Sequence, residues 1–132
     1  MQIILIALLV SLITSFIEAV NDYNKIFKGE EIQHTLSLVL RGVLGFMFTL
    51  CLSGIFFVGM HDILWSTAFL LIVSALQYWI TFDLFLNWMR GLPWDYIGKT
   101  SEIDKASNKQ VFYVKVSLYF LFIVNYLLFF YA

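Results

Sequence analysis

The sequence predicts an all-α integral membrane protein with four transmembrane helices in an antiparallel bundle. Of its 132 residues, 61% are hydrophobic and only 13% are charged. A soluble domain of this size buries only about 60 to 70% of the surface of its unfolded chain, so this much apolar surface requires lipid or a partner protein. One proline and seven glycines leave no stretch with the composition of a linker. We therefore expect a single transmembrane domain over residues 1–132.

Four apolar stretches are long enough to cross a bilayer. The first covers residues 1–20, which as a helix extend about 30 Å, the thickness of the hydrocarbon core. Its first residues include no Lys or Arg and no clean cleavage site follows, which favours a retained span over a cleaved signal peptide. The other candidates are residues 35–59, 63–87 and 111–131. None shows the alternating pattern of a barrel strand, so all four are predicted to be helices.

The basic residues predict how the spans are oriented. All eight lie in or beside two predicted loops, residues 21–34 and 88–110, whereas both termini and the turn at residues 60–62 have none. They are Lys25, Lys28, Arg41, Arg90, Lys99, Lys105, Lys109 and Lys115. Because cytoplasmic loops are rich in Lys and Arg, we expect both loops in the cytoplasm and both termini outside. The predicted location is an inner (cytoplasmic) membrane, with a virion membrane as the alternative.

Charge and cysteine content exclude several classes of function. A net charge of -1 and a pI near 6.0 provide no basic surface for nucleic acid. Cys51 is the only cysteine, so an intrachain disulfide and CxxC motifs are impossible. We expect this thiol to pack as a small buried hydrophobic group.

Polar side chains recur along single helical faces near the cytoplasmic ends of three spans. The spacing is i, i+4, i+7 at the ends of the first and third spans and i, i+7 at the start of the second. The residues are Glu18, Asp22 and Lys25, then His34 and Arg41, then Asp83, Asn87 and Arg90. Ionisable groups within spans cost about 2.5–3.5 kcal/mol each, so they normally face the bundle and find partners. The sequence thus predicts a polar pocket at the cytoplasmic side.

A purely structural role would account for part of this pocket. Glu18 or Asp83 would pair with Arg41 and fix the register of the helices. Asn87 and Arg90 would bind the last carbonyls of the third span. No ligand is needed under this interpretation.

A binding role is the favoured function. Arg41 and Arg90 would contact the phosphate of an anionic lipid headgroup, oriented by nearby acids, or the pocket would hold a partner membrane subunit. The predicted ligand-binding residues are Arg41, Arg90, Asn87, Asp83 and His34. The chain would then be a small binding or accessory component of the membrane.

Two alternatives use the same chain differently. A membrane-embedded lipid-active or metal-assisted enzyme would use His34 as general acid or base, with Asp83 and Glu18 as further catalytic candidates. The metal candidates are Glu18, Asp22, His34 and Asp83, a set that suits Mg, Mn or Fe. This set contains a single histidine and the chain has no HxxxH motif, so a metal site is not favoured. The sequence does not identify a cofactor. The second alternative is a phage virion or lysis membrane protein.

Small residues recur at every fourth position of the first span, namely Ala7, Ser11, Ser15 and Ala19. Such a ridge allows another helix to approach closely. It seats another span of the same chain, or it contacts a second copy or a membrane partner. Gln77 and Asn125 are expected to form hydrogen bonds between helices, worth about 0.6 to 2 kcal/mol each.

Aromatic side chains cluster where the third span ends and the fourth begins. They are Trp88, Trp94, Tyr96 and Tyr113. Tryptophan and tyrosine concentrate at the level of the lipid headgroups, so we expect the segment GLPWDY, residues 91–96, to lie in that interface.

The segment from Asp83 to Asp104 has the pattern D-x3-N-x2-RG-x-P-x2-Y-x-G-x2-S-x2-D. This pattern resembles one found in a group of small, uncharacterised multi-pass membrane proteins of bacteria and their phages. The strings EAVND and IQHTLSLVLR are similar to the first loop of the same group. The resemblance implies a bacterial or phage origin and favours one functional unit formed by the polar residues. It implies no activity.

Overall fold

Four helices account for most of the chain. The structure is a computed structural model that describes residues 2–30, 34–96 and 109–131. The helices are α1 (Gln2–Lys28), α2 (His34–Phe56), α3 (Met60–Met89) and α4 (Lys109–Tyr131). All four are long and apolar enough to cross a membrane. The prediction of an all-helical protein with four such helices is confirmed.

Glycines end two of the helices. α1 continues past its predicted end at residue 20 to Lys28, so Glu18, Asp22 and Lys25 share one helix as their spacing requires. Gly29 then adopts φ 71°, and the amide of Glu30 donates to the carbonyl of Lys25 at 2.9 Å. α3 ends in the same way: Gly91 has φ 66°, and the amide of Leu92 donates to the carbonyl of Asn87 at 2.9 Å. Both ends are Schellman caps, which need a residue that tolerates the left-handed conformation.

The connection between α2 and α3 is short. Only Phe57, Val58 and Gly59 separate the end of α2 from the start of α3. The predicted turn at residues 60–62 lies instead in the first turn of α3, where the carboxylate of Asp62 interacts favourably with the helix dipole.

The small-residue ridge of α1 packs against α3. All four residues of the ridge, Ala7, Ser11, Ser15 and Ala19, are buried. The Ser11 hydroxyl donates to the carbonyl of Ser74 at 2.7 Å, and Ser15 shares a hydrogen bond of 2.7 Å with the hydroxyl of Thr81. The ridge therefore seats a span of the same chain, which is one of the two predicted alternatives. Contact with a second copy or a membrane partner through this ridge stays a prediction.

Gln77 links three helices. Its Nε2 donates to the carbonyl of Leu8 in α1 at 2.9 Å, and its Oε1 accepts from the hydroxyl of Tyr119 in α4 at 3.1 Å. The predicted interhelical bond of Gln77 is confirmed. Asn125 behaves differently, because it is exposed and donates to the carbonyl of Leu121 in its own helix at 2.7 Å.

The buried centre combines small hydroxyls with an apolar cluster. Ser66 of α3 accepts from the hydroxyl of Ser53 in α2 at 3.2 Å and shares a hydrogen bond of 3.3 Å with the hydroxyl of Tyr126 in α4. The cluster consists of Ile3, Ile4, Ala7, Leu52, Leu70 and Tyr126. Small hydroxyl residues let helices approach closely, and these three hydroxyls satisfy one another by hydrogen bonds. α3 is thus the helix that contacts each of the other three.

The outer faces of the helices are apolar. Large exposed side chains include Leu44 and Ile55 on α2 and Phe129 on α4. Cys51 is also exposed, so the prediction of a buried thiol is wrong. The next two residues, Leu52 and Ser53, occupy the inward face of α2, which turns Cys51 outward.

We expect Ser15→Leu to lower the midpoint of thermal unfolding in detergent. Ser15 is fully buried, so a larger side chain pushes α1 away from α3 and removes the bond to Thr81. Overpacking of this kind costs about 1–3 kcal/mol. Thr14→Leu is the matched control, because Thr14 is exposed and its hydroxyl donates to carbonyls of its own helix. Equal midpoints for the two variants, measured by circular dichroism, would contradict the observed contact between α1 and α3.

Candidate functional site

Two ion pairs connect the helices at the end of the protein where α1 and α3 finish and α2 and α4 begin. The carboxylate of Glu18 in α1 contacts the guanidinium of Arg41 in α2. Asp83 in α3 accepts a hydrogen bond from the ammonium of Lys115 in α4 at 3.1 Å. Each of the four helices therefore contributes one charged side chain to a neutral pair.

Aromatic side chains of α3 support the first pair. The Tyr78 hydroxyl donates to Oε2 of Glu18 at 2.8 Å. The guanidinium carbon of Arg41 lies 5.3 Å from the ring centroid of Tyr78 and 5.8 Å from that of Phe82. Cation–π contact at these distances stabilises a partly desolvated guanidinium. α3 thus holds a pair whose two charges come from other helices.

The cation of the second pair, Lys115, is more deeply buried than the cation of the first pair, Arg41. Lys115 is 7% exposed, and its Nζ lies 3.6 Å from the ring centroid of Trp79 as well as 3.1 Å from Asp83. A buried ammonium is costly unless it is paired, and here a carboxylate and a ring face both compensate its charge. This pair fixes the depth of α4 against α3.

The pairing corrects part of the sequence interpretation. Of the two predicted partners of Arg41, Glu18 is the one that contacts it. Asp83 instead pairs with Lys115, which in the sequence stands out only as a basic residue beside a predicted loop. A signal was available, because Asp83 lies six residues before the end of α3 and Lys115 six residues after the start of α4. Helices joined by a loop bring such positions to a similar depth.

Asn87 holds the loop that follows α3. Its side chain is nearly fully buried, and Nδ2 donates to the carbonyls of Tyr96 at 2.8 Å and Trp94 at 3.4 Å. The amide therefore binds carbonyls of the loop, whereas we expected it to bind the last carbonyls of the helix. Residues 91–96 are folded back against the end of α3 by these bonds.

Arg90 lies on an exposed surface that this loop helps to form. Its guanidinium carbon is 6.0 Å from the ring centroid of Tyr96. Trp94 contacts Tyr113 of α4, with ring centroids 6.2 Å apart, and both rings are more than half exposed. We call Trp88, Arg90, Trp94, Tyr96 and Tyr113 the Arg90 surface. Within the part of the chain that the structure describes, no carboxylate lies within ion-pair distance of Arg90.

The remaining candidates give no metal site among the described residues. Asp22 is buried, and its nearest cation is Lys25 in the same helix, with Nζ and Oδ1 4.0 Å apart. No three His, Cys, Asp or Glu residues of the described segments are placed to hold a metal ion. The side chain of His34, a catalytic, ligand-binding and metal candidate, lies outside the described residues. Its roles stay predictions.

An open cleft of about 230 Å³ separates part of α3 from α4. Its walls are mostly apolar. It is lined by Gln77, Ile80, Thr81, Val116, Tyr119 and Phe120. None of the residues predicted to bind a ligand lines this cleft.

Comparison of the chain with protein-family models, with curated proteins and with solved structures gives no match. The indications of function therefore come from the geometry of the two ion pairs, the loop of residues 91–96 that Asn87 holds, and the Arg90 surface. Three roles are separated in space: charge compensation inside the helices, support of a loop, and an exposed cation.

We expect double-mutant cycles to show strong coupling within each observed pair and weaker coupling between pairs. The cycles are Glu18→Gln with Arg41→Gln, and Asp83→Asn with Lys115→Gln. Directly contacting charges couple by about 0.5–3 kcal/mol. The free energy of unfolding in mixed detergent micelles is the measured quantity.

The cycle of Asp83→Asn with Arg41→Gln is the control for this prediction, since these residues belong to different pairs. A larger coupling in the control cycle than in the cycles of both observed pairs would show that the pairing is wrong.

Proposed function

We propose that the four helices cross a membrane as an antiparallel bundle. Contacts between α3 and α4 support this arrangement, because residue numbers fall in α4 as they rise in α3: Tyr126 contacts Ser66, Tyr119 contacts Gln77, and Lys115 contacts Asp83. The apolar outer faces require a solvent of hydrocarbon. Paired charges near one end of the bundle agree with the cost of leaving them unpaired in lipid.

The distribution of exposed cations supports an orientation with this end in the cytoplasm. Lys25, Lys28 and Arg90 lie at the ends of α1 and α3, while the opposite turn at residues 57–59 has no basic residue. Under the positive-inside rule both termini are then outside. We further propose a bacterial or phage-derived inner membrane, which is what the resemblance of the Asp83–Asp104 segment implies.

For function, we propose a membrane-embedded binding or accessory component that recognises an anionic lipid headgroup through the Arg90 surface. One observation carries this proposal: the charged residues deeper in the helices are paired, whereas Arg90 is exposed and has no carboxylate partner among the described residues. The binding site is therefore narrower than the one the sequence suggested. Asn87 holds the loop of this surface, and Asp83 holds α4, the helix that carries Tyr113. Arg41 is paired with Glu18 and is no longer proposed to contact the ligand, and His34 stays a candidate contact.

The chemistry of the Arg90 surface suits a phosphate at the membrane interface. A guanidinium presents several N–H donors in a planar fork that matches phosphate oxygens. Exposed Trp88 and Trp94 are amphipathic rings of the type that lie among headgroups. The bonds from Asn87 hold the loop in place before a lipid binds, which lowers the entropy cost of binding.

Cysteine labelling tests the proposed orientation. Glu30 follows α1 and Val58 lies in the turn between α2 and α3, and both are exposed. In a Cys51→Ala background and intact bacterial spheroplasts, we expect Val58→Cys to react with a membrane-impermeant maleimide. Glu30→Cys should react only after the membrane is permeabilised. The reverse pattern would overturn the orientation, and reaction of both residues in intact cells would overturn the membrane crossing.

Lipid competition tests the proposed function. The measured quantity is the preference of the reconstituted protein for a dansyl-labelled phosphatidylglycerol over a matched dansyl phosphatidylcholine. We expect Arg90→Gln to reduce this preference by about fivefold, because one basic residue near the surface contributes about 1 kcal/mol. Energy transfer from the protein's tryptophans to the dansyl group reports binding.

Two variants control this experiment. Arg90→Lys keeps the charge but lacks the planar fork, so its preference should lie between those of the unmodified protein and Arg90→Gln. Lys25→Gln should change it less, because the ammonium of Lys25 is already 4.0 Å from Asp22. An unchanged preference in Arg90→Gln, or an equal loss in Lys25→Gln, would contradict a specific role for Arg90.

A further inference from the structure

α4 packs one face against α3, and its other faces are largely exposed. The first face includes Phe112, Lys115 and Tyr126, all buried. One stripe of exposed residues along α4 consists of Val114, Leu118, Leu121, Asn125 and Leu128. We call these five residues the α4 seam. Their spacing is i, i+4, i+7, i+11, i+14, the repeat with which one helix packs along another in a left-handed pair.

Asn125 is the polar member of this seam. Its Nδ2 donates to the carbonyl of Leu121, which is one turn earlier in the same helix, at 2.7 Å. An amide side chain has two N–H donors and a carbonyl with two lone pairs. Among the described residues, one N–H of the Asn125 amide has a partner, and its carbonyl oxygen has none. The side chain therefore retains most of its capacity for hydrogen bonding.

The position of Asn125 makes this capacity costly. It lies inside the apolar span Phe112–Phe130, five residues from the end of that span, or about 7 Å along the helix. In lipid, an exposed amide at this depth has no water to bind. Thr14, also exposed within a span, differs because its hydroxyl donates to carbonyls of Val10 and Ser11 in its own helix.

We propose that the α4 seam is the interface of a homodimer in which the two Asn125 side chains bind each other across a two-fold axis normal to the membrane. A second copy inserted with the same orientation places its Asn125 at the same depth. Amides are self-complementary, because each donates an N–H to the carbonyl of the other. The flanking Leu121 and Leu128 pack on either side of the pair, and one polar residue in an apolar seam fixes the register.

The seam is a different surface from the small-residue ridge of α1. Ser11 and Ser15 of that ridge are already occupied by bonds to Ser74 and Thr81 of α3. The α4 seam is available without any change in the contacts between helices. This inference rests on the proposed crossing of the membrane, but it does not depend on lipid recognition by Arg90.

Energy transfer between labelled copies in liposomes tests the dimer. The full-length chain, labelled separately with donor and acceptor, is reconstituted over a range of protein-to-lipid ratios. We expect dimerisation, and we expect Asn125→Leu to weaken it by about 3- to 30-fold, the range expected for interhelical hydrogen bonds. Asn125→Gln keeps the amide and should retain association. A chain that stays monomeric at every ratio, or a dimer that Asn125→Leu leaves unchanged, would overturn the proposal.

Cross-linking tests the same interface with Asn125 intact. In a Cys51→Ala background, oxidation should link Leu121→Cys chains into dimers. Leu127→Cys is the matched control, because it replaces the same residue type on an exposed position outside the seam. Equal cross-linking of both variants would contradict the seam. Resistance to carbonate extraction is scored on the same vesicles, so a chain that fails to insert is distinguished from an inserted monomer.

Discussion

The structure depends on one constraint, which is that a charged side chain inside an apolar helix needs a compensating partner. The constraint is met between helices, by Glu18 with Arg41 and by Asp83 with Lys115. Rings of α3 stabilise both cations, through Tyr78 for Arg41 and Trp79 for Lys115. α3 therefore acts as the common support of both pairs, and small residues that face it let α1 approach closely.

This compensation separates residues that look alike in the sequence. Asp83, Asn87 and Arg90 share one helical face, yet the first neutralises Lys115, the second holds a loop by its carbonyls, and the third is exposed to the surroundings. A ligand that meets the protein at this end reaches Arg90 without breaking an ion pair. All three residues have polar side chains, so polarity alone does not distinguish them. The proposed recognition of an anionic headgroup by Arg90 follows from its greater exposure.

Much of the fold could be predicted from the sequence, because the length of an apolar stretch fixes the number of helices and the period of small residues marks a packing face. The partners of the polar residues were harder to predict. Spacing placed Asp83 and Arg41 at a similar depth, but which helices are neighbours is decided by packing, and Lys115 was overlooked because its own helix is apolar. The loop partners of Asn87 and the outward position of Cys51 depend likewise on rotation about helix axes that hydropathy does not define.

Solid-state NMR distances in bilayers that contain phosphatidylglycerol would show whether the deeper charges compensate one another while Arg90 contacts the headgroups. With ¹⁵N in lysine and arginine side chains, we expect strong dipolar coupling of Lys115 Nζ to the ¹³C carboxyl carbon of Asp83 and of Arg41 to that of Glu18. Arg90 should couple to lipid ³¹P. Coupling of Lys115 or Arg41 to phosphorus, with no coupling to either carboxylate, would contradict this arrangement.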